Sequence, residues 1–169
     1  MEDLEQIVIT LTNMPNWLSK RITPQRDMSK VNRPAVRGEW SVRDIVAHLR
    51  DNEARYFPKM HLISIAQVPD LRRVQNVGPT EYDPDDSVFT VMSQFRRVRQ
   101  STLSLLRELP RDAWNRVGVD VDNVTVSIKD LALELIDHDA EHLAQIDEVL
   151  IARGALPHGV RPLVAVEAH

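Results

Sequence analysis

The stretch Ile136-Asp-His-Asp-Ala-Glu-His-Leu-Ala-Gln145 carries two histidines, His138 and His142, four residues apart. On an α-helix this spacing stacks two side chains on one face, one turn apart. Imidazoles at that spacing can hold a metal ion, but they also occur as ordinary hydrogen-bonded core residues. The pair therefore predicts a helix and leaves two interpretations of the histidines open.

Around this stretch the sequence has the periodicity of a helix with one buried face. Apolar residues and both histidines recur at steps of three and four from Leu131 to Val149. Ser127, with Asp130 three residues later, forms a capping-box pattern that predicts where the helix begins. Gly154 predicts where it ends.

The same periodicity predicts three further helices upstream. The second should begin at Ser41, with Asp44 as its capping partner, and Pro58 should kink or divide it before residues 60–66. Pro110 should end the third helix. The inward residues of the three are Leu4, Ile7, Leu11, Met14 and Leu18; Ile45, His48, Leu49, Asn52 and Tyr56; and Val88, Val91, Met92, Phe95, Val98, Thr102, Leu105, Leu106 and Leu109.

The segments between these helices complete the predicted architecture. Residues 67–86 have the composition of a long surface connection, and residues 111–126 are irregular, with alternating valines that allow a short hairpin. Four amphipathic helices predict an all-α fold, a four-helix bundle, in one domain spanning residues 1–169. The core should occupy about residues 2–153, with a tail at 154–169.

The composition limits the classes of function. The chain has 169 residues, a formal net charge of −4 and no cysteine. This charge gives nucleic acid no support as a partner, and the lack of cysteine excludes disulfides, thiolate metal ligands and a cysteine nucleophile. The sequence shows neither a signal peptide nor an apolar run approaching the roughly 18 residues of a membrane span. We therefore expect a cytoplasmic protein with no membrane partner.

A third histidine, His48, lies on the predicted inner face of the second helix. If His48, His138 and His142 meet in the bundle, three neutral nitrogens can bind a divalent ion and leave positions open for water or substrate. The helix of a zinc peptidase carries a glutamate directly after the first histidine of its pair, and here Asp139 stands at that place. Peptidase chemistry is therefore disfavoured.

Two of these stretches together resemble the DinB/YfiT-like superfamily: Trp40-Ser-Val-Arg-Asp-Ile-Val-Ala-His-Leu49 and, far downstream, His138-Asp-Ala-Glu-His-Leu-Ala-Gln145. The resemblance extends from the first helix to about Arg153. It implies a four-helix bundle, often a homodimer, in which His48, His138 and His142 bind a divalent ion such as zinc or nickel. For some members it also implies a low-molecular-weight thiol, such as mycothiol or bacillithiol, that the metal activates for transfer.

Each imidazole that binds a metal also needs a hydrogen-bond partner on its other ring nitrogen. The candidates lie one helical turn from a histidine: Asp44, Asp51, Glu134, Glu141 and Gln145. Any of them can equally be a solvated surface residue. Gln145 differs from the others because it shares the histidine face.

The remaining conspicuous side chains are expected to be structural. Three histidines are predicted at the surface: His61, His158 and His169. Four arginines of the third helix are predicted on its solvated face: Arg96, Arg97, Arg99 and Arg107. Three tryptophans could line a pocket mouth but are expected in the core: Trp17, Trp40 and Trp114.

Two functions compete on these grounds. In the first, the protein is a metal-dependent enzyme, a thiol S-transferase or a hydrolase, that acts on a small-molecule substrate beneath the connection 67–86. In the second, it is a non-catalytic stress-related or dimeric binding protein in which the metal only ties helices together. A coordination position open to a cavity would favour the enzyme, and a fourth protein ligand would favour the binding protein.

Overall fold

Four long helices dominate the computed structural model, which describes residues 3–74 and 82–163. The α-helices are α1 (Leu4–Ile22), α2 (Ser29–Asn32), α3 (Val42–Ile65), α4 (Val88–Glu108) and α5 (Ile128–Ala152), of which α2 is a single short turn. Shorter elements are the 3₁₀ turns Leu71–Val74, Arg111–Asn115 and Val121–Asn123 and the strands β1 (Val117–Val119) and β2 (Thr125–Ser127). The predicted four-helix bundle is confirmed.

Both predicted capping boxes are present. The hydroxyl of Ser41 accepts from the Asp44 backbone at 3.1 Å, and the Asp44 carboxylate accepts from the Ser41 backbone at 3.0 Å. Ser127 and Asp130 make the same reciprocal pair at 2.9 Å each. Each box satisfies N–H groups that the helix itself leaves unpaired, so the local sequence determines where α3 and α5 begin.

The helix containing Pro58 is not divided. Helix α3 runs without interruption from Val42 to Ile65, although Pro58 has no N–H to donate to the preceding turn. Met60 and Ile63 follow the proline and are fully buried in the core. Their packing holds the last turns in register, so tertiary contacts override the local helix-breaking tendency of proline.

A two-stranded hairpin forms in the irregular segment, which makes the fold mostly helical rather than purely all-α. Strands β1 and β2 pair antiparallel, with Gly118 opposite Val126. A Cβ atom at Gly118 would lie 2.9 Å from Leu71 Cγ, so the close approach of the connection requires glycine there. Residues 75–81 of that connection lie outside the described residues. The prediction that the connection covers the site therefore also falls outside them.

Of the consecutive long helices, only α3 and α4 pack side by side. Helix α3 packs mainly against α4 and α5, and α1 packs against the same two helices. Helices α1 and α3 are therefore diagonal to each other, as are α4 and α5. This order brings the face of α3 that carries His48 against the face of α5 that carries the other two histidines.

The core consists of two apolar clusters with a charged layer between them. One cluster includes Leu18, Leu49 and Phe95, and the other includes Leu11 and Met60. The layer contains the buried side chains Glu53, Arg99 and Asp139.

The prediction that Arg99 is solvated is therefore wrong, because its side chain is 0% exposed. It occupies the buried face of α4, four residues after Phe95 and three before Thr102. The charge of an arginine suggests an exposed side chain, but the position of Arg99 on the helix places it on the buried face. Arg96, Arg97 and Arg107 are exposed as predicted.

The predictions for the three tryptophans and for the histidines outside the two motifs are confirmed only in part. Trp114 is buried and Trp17 packs at the edge of the core, but Trp40 is 44% exposed, contrary to prediction. His61 and His158 are exposed as predicted, and His169 lies outside the described residues. Within the described ranges, no helix combines the length and apolarity that crossing a membrane requires.

Candidate metal centre

The three histidines of the two motifs meet at the interface of α3 and α5. One ring nitrogen from each of His48, His138 and His142 lies within 4.8 Å of the others, and all three side chains are half-buried. The Nε2 atoms of His48 and His138 are 3.0 Å apart. The ring centroid of His142 is 4.6 Å from that of His48 and 4.3 Å from that of His138.

These residues fit a divalent metal ion. Nitrogens that each lie about 2.0–2.1 Å from a common metal are separated by roughly 2.8–3.4 Å at coordination angles of 90–109°. The 3.0 Å separation of the two Nε2 atoms falls within this range. Within the described parts of the chain, no aspartate, glutamate or fourth histidine joins the cluster. The donor set is therefore three imidazoles with room for further ligands.

Two amide side chains contact the outer ring nitrogens. Gln145 Oε1 lies 2.8 Å from His142 Nδ1, one turn further along α5. Asn52 Nδ2 lies 3.2 Å from His138 Nδ1, across the helix interface. The periodicity of the sequence predicts Asn52 on the inner face of α3 but does not assign it to the site. Its position one turn after His48 was the signal that could have identified it.

The other proposed partners are engaged elsewhere or face outward. Asp44 caps its own helix, Asp51 pairs with Arg50 at 3.0 Å, and the hydroxyl of Tyr56 donates to Glu134 at 2.8 Å. Glu141 is exposed. Among the described contacts none of these four carboxylates hydrogen-bonds a histidine of the cluster. Gln145 is the candidate that the structure places directly against a ring nitrogen.

The surroundings of His48 and His138 favour their neutral forms. Burial, together with the nearby His142 and Arg55, lowers the pKa of His48. Burial, His142 and His48 lower the pKa of His138 to about 4. Because a metal binds the neutral imidazole, these two rings need not lose a proton to solvent before they coordinate at neutral pH.

Asp139 adjoins the cluster but points away from it into the charged layer. Both of its oxygens accept from Arg99, at 2.9 and 3.0 Å. Burial raises the pKa of Asp139 to about 6, while Arg99 opposes the rise, so the carboxylate is ionised at neutral pH. Held in this pair, Asp139 is unavailable as the general base that a glutamate provides in zinc peptidases.

A cleft of about 820 Å³ opens beside the cluster at His142. Trp40 forms part of its wall, with its ring 4.9 Å from that of His48 and 6.3 Å from that of His142, centroid to centroid. Glu39, Glu141 and Glu148 also line the cleft. The exposure of Trp40 thus has a structural explanation: the residue stands between the histidine cluster and the open cleft.

The protein is therefore a helical bundle with a candidate metal site between two facing helices. The model of the DinB superfamily matches residues 12–146, and the chain belongs to that superfamily. The match includes both histidine motifs.

Two known proteins are similar to this chain over most of its length. A Bacillus pumilus (strain SAFR-032) protein named "Putative metal-dependent hydrolase" is 22% identical over 151 residues, which cover 88% of this chain and 86% of that protein. The structure of YfiT from Bacillus subtilis, described as "a probable metal-dependent hydrolase with an unusual four-helix bundle topology", is 21% identical with a TM-score of 0.71. The superposition covers 89% of this chain and 87% of YfiT.

Proposed function

We propose that the protein is a metal-dependent enzyme in which His48, His138 and His142 hold one divalent first-row ion, zinc or nickel. The observation that carries this proposal is a three-nitrogen cluster that borders a cleft and, among the described residues, has no fourth protein ligand. Structural zinc sites usually have four protein ligands, whereas catalytic sites have three and an open position. The open position favours the enzyme over a metal-stabilised binding protein.

The ion would supply Lewis acidity and make a water or thiol available as a nucleophile near neutral pH. The chain's own residues would position the substrate. The cleft presents Trp40 as an apolar surface and Glu141 and Glu148 as carboxylates, and its volume suits a small molecule.

We propose hydrolysis as the reaction, because both relatives are described as metal-dependent hydrolases. A low-molecular-weight thiol as cosubstrate is the alternative nucleophile that the family resemblance predicts.

Elemental analysis of tag-free protein tests the metal site. We expect about one zinc or nickel ion per chain in the wild type, and a sharp fall in each of His48→Ala, His138→Ala and His142→Ala. His61→Ala is the matched control, since His61 is an exposed histidine of α3 outside the cluster. Wild-type protein that holds no metal after reconstitution with either ion would contradict the proposal.

A substrate screen then tests catalysis. Metal-loaded protein is assayed against activated esters and amides, with and without a chelator, and against electrophiles in the presence of mycothiol or bacillithiol. Turnover that chelation abolishes and the His142→Ala variant lacks would support the enzyme. If metal binds and chelation changes only the thermal stability, the non-catalytic binding protein would replace it.

A further inference from the structure

The hydrogen bonds of the cluster indicate where its protons lie. Because Gln145 presents an oxygen to His142 Nδ1, that nitrogen carries the proton and Nε2 is left free. The 3.0 Å contact between the Nε2 atoms of His48 and His138 requires one of these atoms to carry a proton. One of these two histidines is therefore in the wrong tautomer to bind a metal through Nε2.

The contact with Asn52 indicates that His138 is the histidine in the wrong tautomer. The amide NH₂ of Asn52 faces His138 Nδ1 at 3.2 Å, so Nδ1 accepts and the proton of His138 lies on Nε2. His138 Nε2 then donates to His48 Nε2, which is unprotonated. In this arrangement His48 and His142 already have free Nε2 atoms, and His138 alone must move its proton to Nδ1.

We infer that Asn52 is a positioning residue that sets the tautomer of His138, donating to Nδ1 in the metal-free protein and accepting from it once a metal binds. The two ends of an amide are nearly equal in size, so half a turn about the last side-chain bond replaces the NH₂ with the oxygen. The turn offers an acceptor to Nδ1–H and leaves Nε2 free. This inference rests on the metal site of the proposed function.

Nitrogen-15 NMR of the histidine rings reads the tautomers directly. In metal-free wild-type protein we expect the proton of His138 on Nε2 and that of His142 on Nδ1. Adding zinc should move the His138 proton to Nδ1. A His138 proton that already lies on Nδ1 in the metal-free wild type would overturn the inference, and this measurement does not depend on whether the protein binds metal.

Two substitutions of Asn52 test separately whether its side chain accepts or donates a hydrogen bond. Asn52→Leu keeps the size but can do neither, so zinc affinity, measured by chelator competition, should fall about 10- to 100-fold. Asn52→Asp can only accept, so it should put the His138 proton on Nδ1 even without metal and bind zinc at least as tightly as the wild type. Equal zinc affinity in the wild type and Asn52→Leu would contradict the inference.

Gln145→Glu is the matched control for the negative charge that Asn52→Asp adds. It places a carboxylate where an oxygen already faces His142, so it should leave the His138 tautomer unchanged. If Gln145→Glu shifts that tautomer as much as Asn52→Asp does, charge alone is responsible and the role of Asn52 is lost. If Asn52→Asp shifts the tautomer but no variant binds zinc or nickel, the proposed function fails while the control of the tautomer by Asn52 stands.

Discussion

Arg99 brings a full positive charge to the centre of the bundle, where two carboxylates surround it. Its guanidinium donates to both oxygens of Glu53 at 2.8 Å, to both oxygens of Asp139 and to the Leu11 carbonyl at 2.9 Å. Burial opposes this charge, but Glu53 and Asp139 outweigh it and raise the pKa of Arg99. Buried charges are tolerated only when paired and hydrogen-bonded, so each member depends on the others.

We expect Arg99→Met to lower the free energy of unfolding by about 3–5 kcal/mol, because it leaves two buried carboxylates without a cation. Urea denaturation at neutral pH measures the loss. The loss should shrink in acid, where the stranded carboxylates can take up protons. Arg97→Met, on the exposed face of α4, is the control and should change stability by less than about 0.5 kcal/mol. Equal urea midpoints for Arg99→Met and Arg97→Met would contradict this account.

The lowered pKa of His138 predicts how the metal-free protein responds to acid. The folded pKa is about 4 and the ordinary value is 6.5, so between these values the unfolded chain binds the proton more readily than the folded chain does. The contribution of His138 to stability is therefore complete above pH 6.5 and is lost as the pH falls toward 4.

Comparison with His138→Gln isolates this effect, because glutamine does not titrate. In chelator-treated protein, the free energy of unfolding of the wild type relative to His138→Gln should decline from pH 6.5 to pH 4. Denaturant titrations at several pH values measure the difference. A difference that is constant over that interval would show that His138 has the same pKa in both states.

At the scale of the element, α3 and α5 matter most because they carry the histidines. Each begins with a capping box whose serine is almost fully buried. Ser127 also ends strand β2, so the hairpin leads directly into the helix that carries two of the three candidate ligands. The start of α5 is thus determined by the local hydrogen bonds between Ser127 and Asp130.

Ser127→Ala should reduce the free energy of unfolding by about 1 kcal/mol, the usual value of an N-cap side chain. The alanine cannot accept from the Asp130 backbone, so that N–H loses its partner. Denaturant unfolding measures the change. Ser104→Ala serves as control, since Ser104 is an exposed serine within α4 and its replacement by a better helix former should not destabilise the protein.

At the scale of the whole molecule, the metal centre lies beside the charged layer that separates the two apolar clusters. Asp139 follows His138 on α5, and Glu53 follows Asn52 on α3, so the two sites share adjacent residues on both helices. The layer acts on the site through Arg99, which is one of the charges that lower the pKa of His138.

Metal binding should stabilise the whole fold, because the three histidines come together only in the folded chain. Free metal at 100 times its dissociation constant should raise the free energy of unfolding by about 2.7 kcal/mol. Thermal denaturation with zinc and with chelator measures the shift. The His142→Ala variant should show little or none of it, and a full shift in that variant would place the bound metal elsewhere.

The homodimer implied by the family resemblance stays a prediction. Light scattering on the eluting protein distinguishes one 19.3 kDa chain from two. A monomer that nevertheless binds metal through the triad would show that the site is complete within one chain.

The sequence by itself determined the elements and the ligand candidates. Helical periodicity, two capping boxes and Gly154 predicted the long helices, and the four-residue spacing put His138 and His142 on one face. These features depend on neighbours within one or two turns, so they can be recognised without knowing the fold. Periodicity also put His48 on the inner face of its helix, and the family resemblance implied that it binds the metal together with the other two histidines.

The tertiary structure alone decided what those elements do together. It paired α3 with α5, kept α3 continuous through Pro58, turned Arg99 inward to two carboxylates and brought Asn52 to His138. Each outcome depends on partners far apart in the chain, such as Glu53, Arg99 and Asp139, whose charges offset one another only after three helices have packed. Local patterns carry no information about such partners, because burial and pairing are properties of the assembled core.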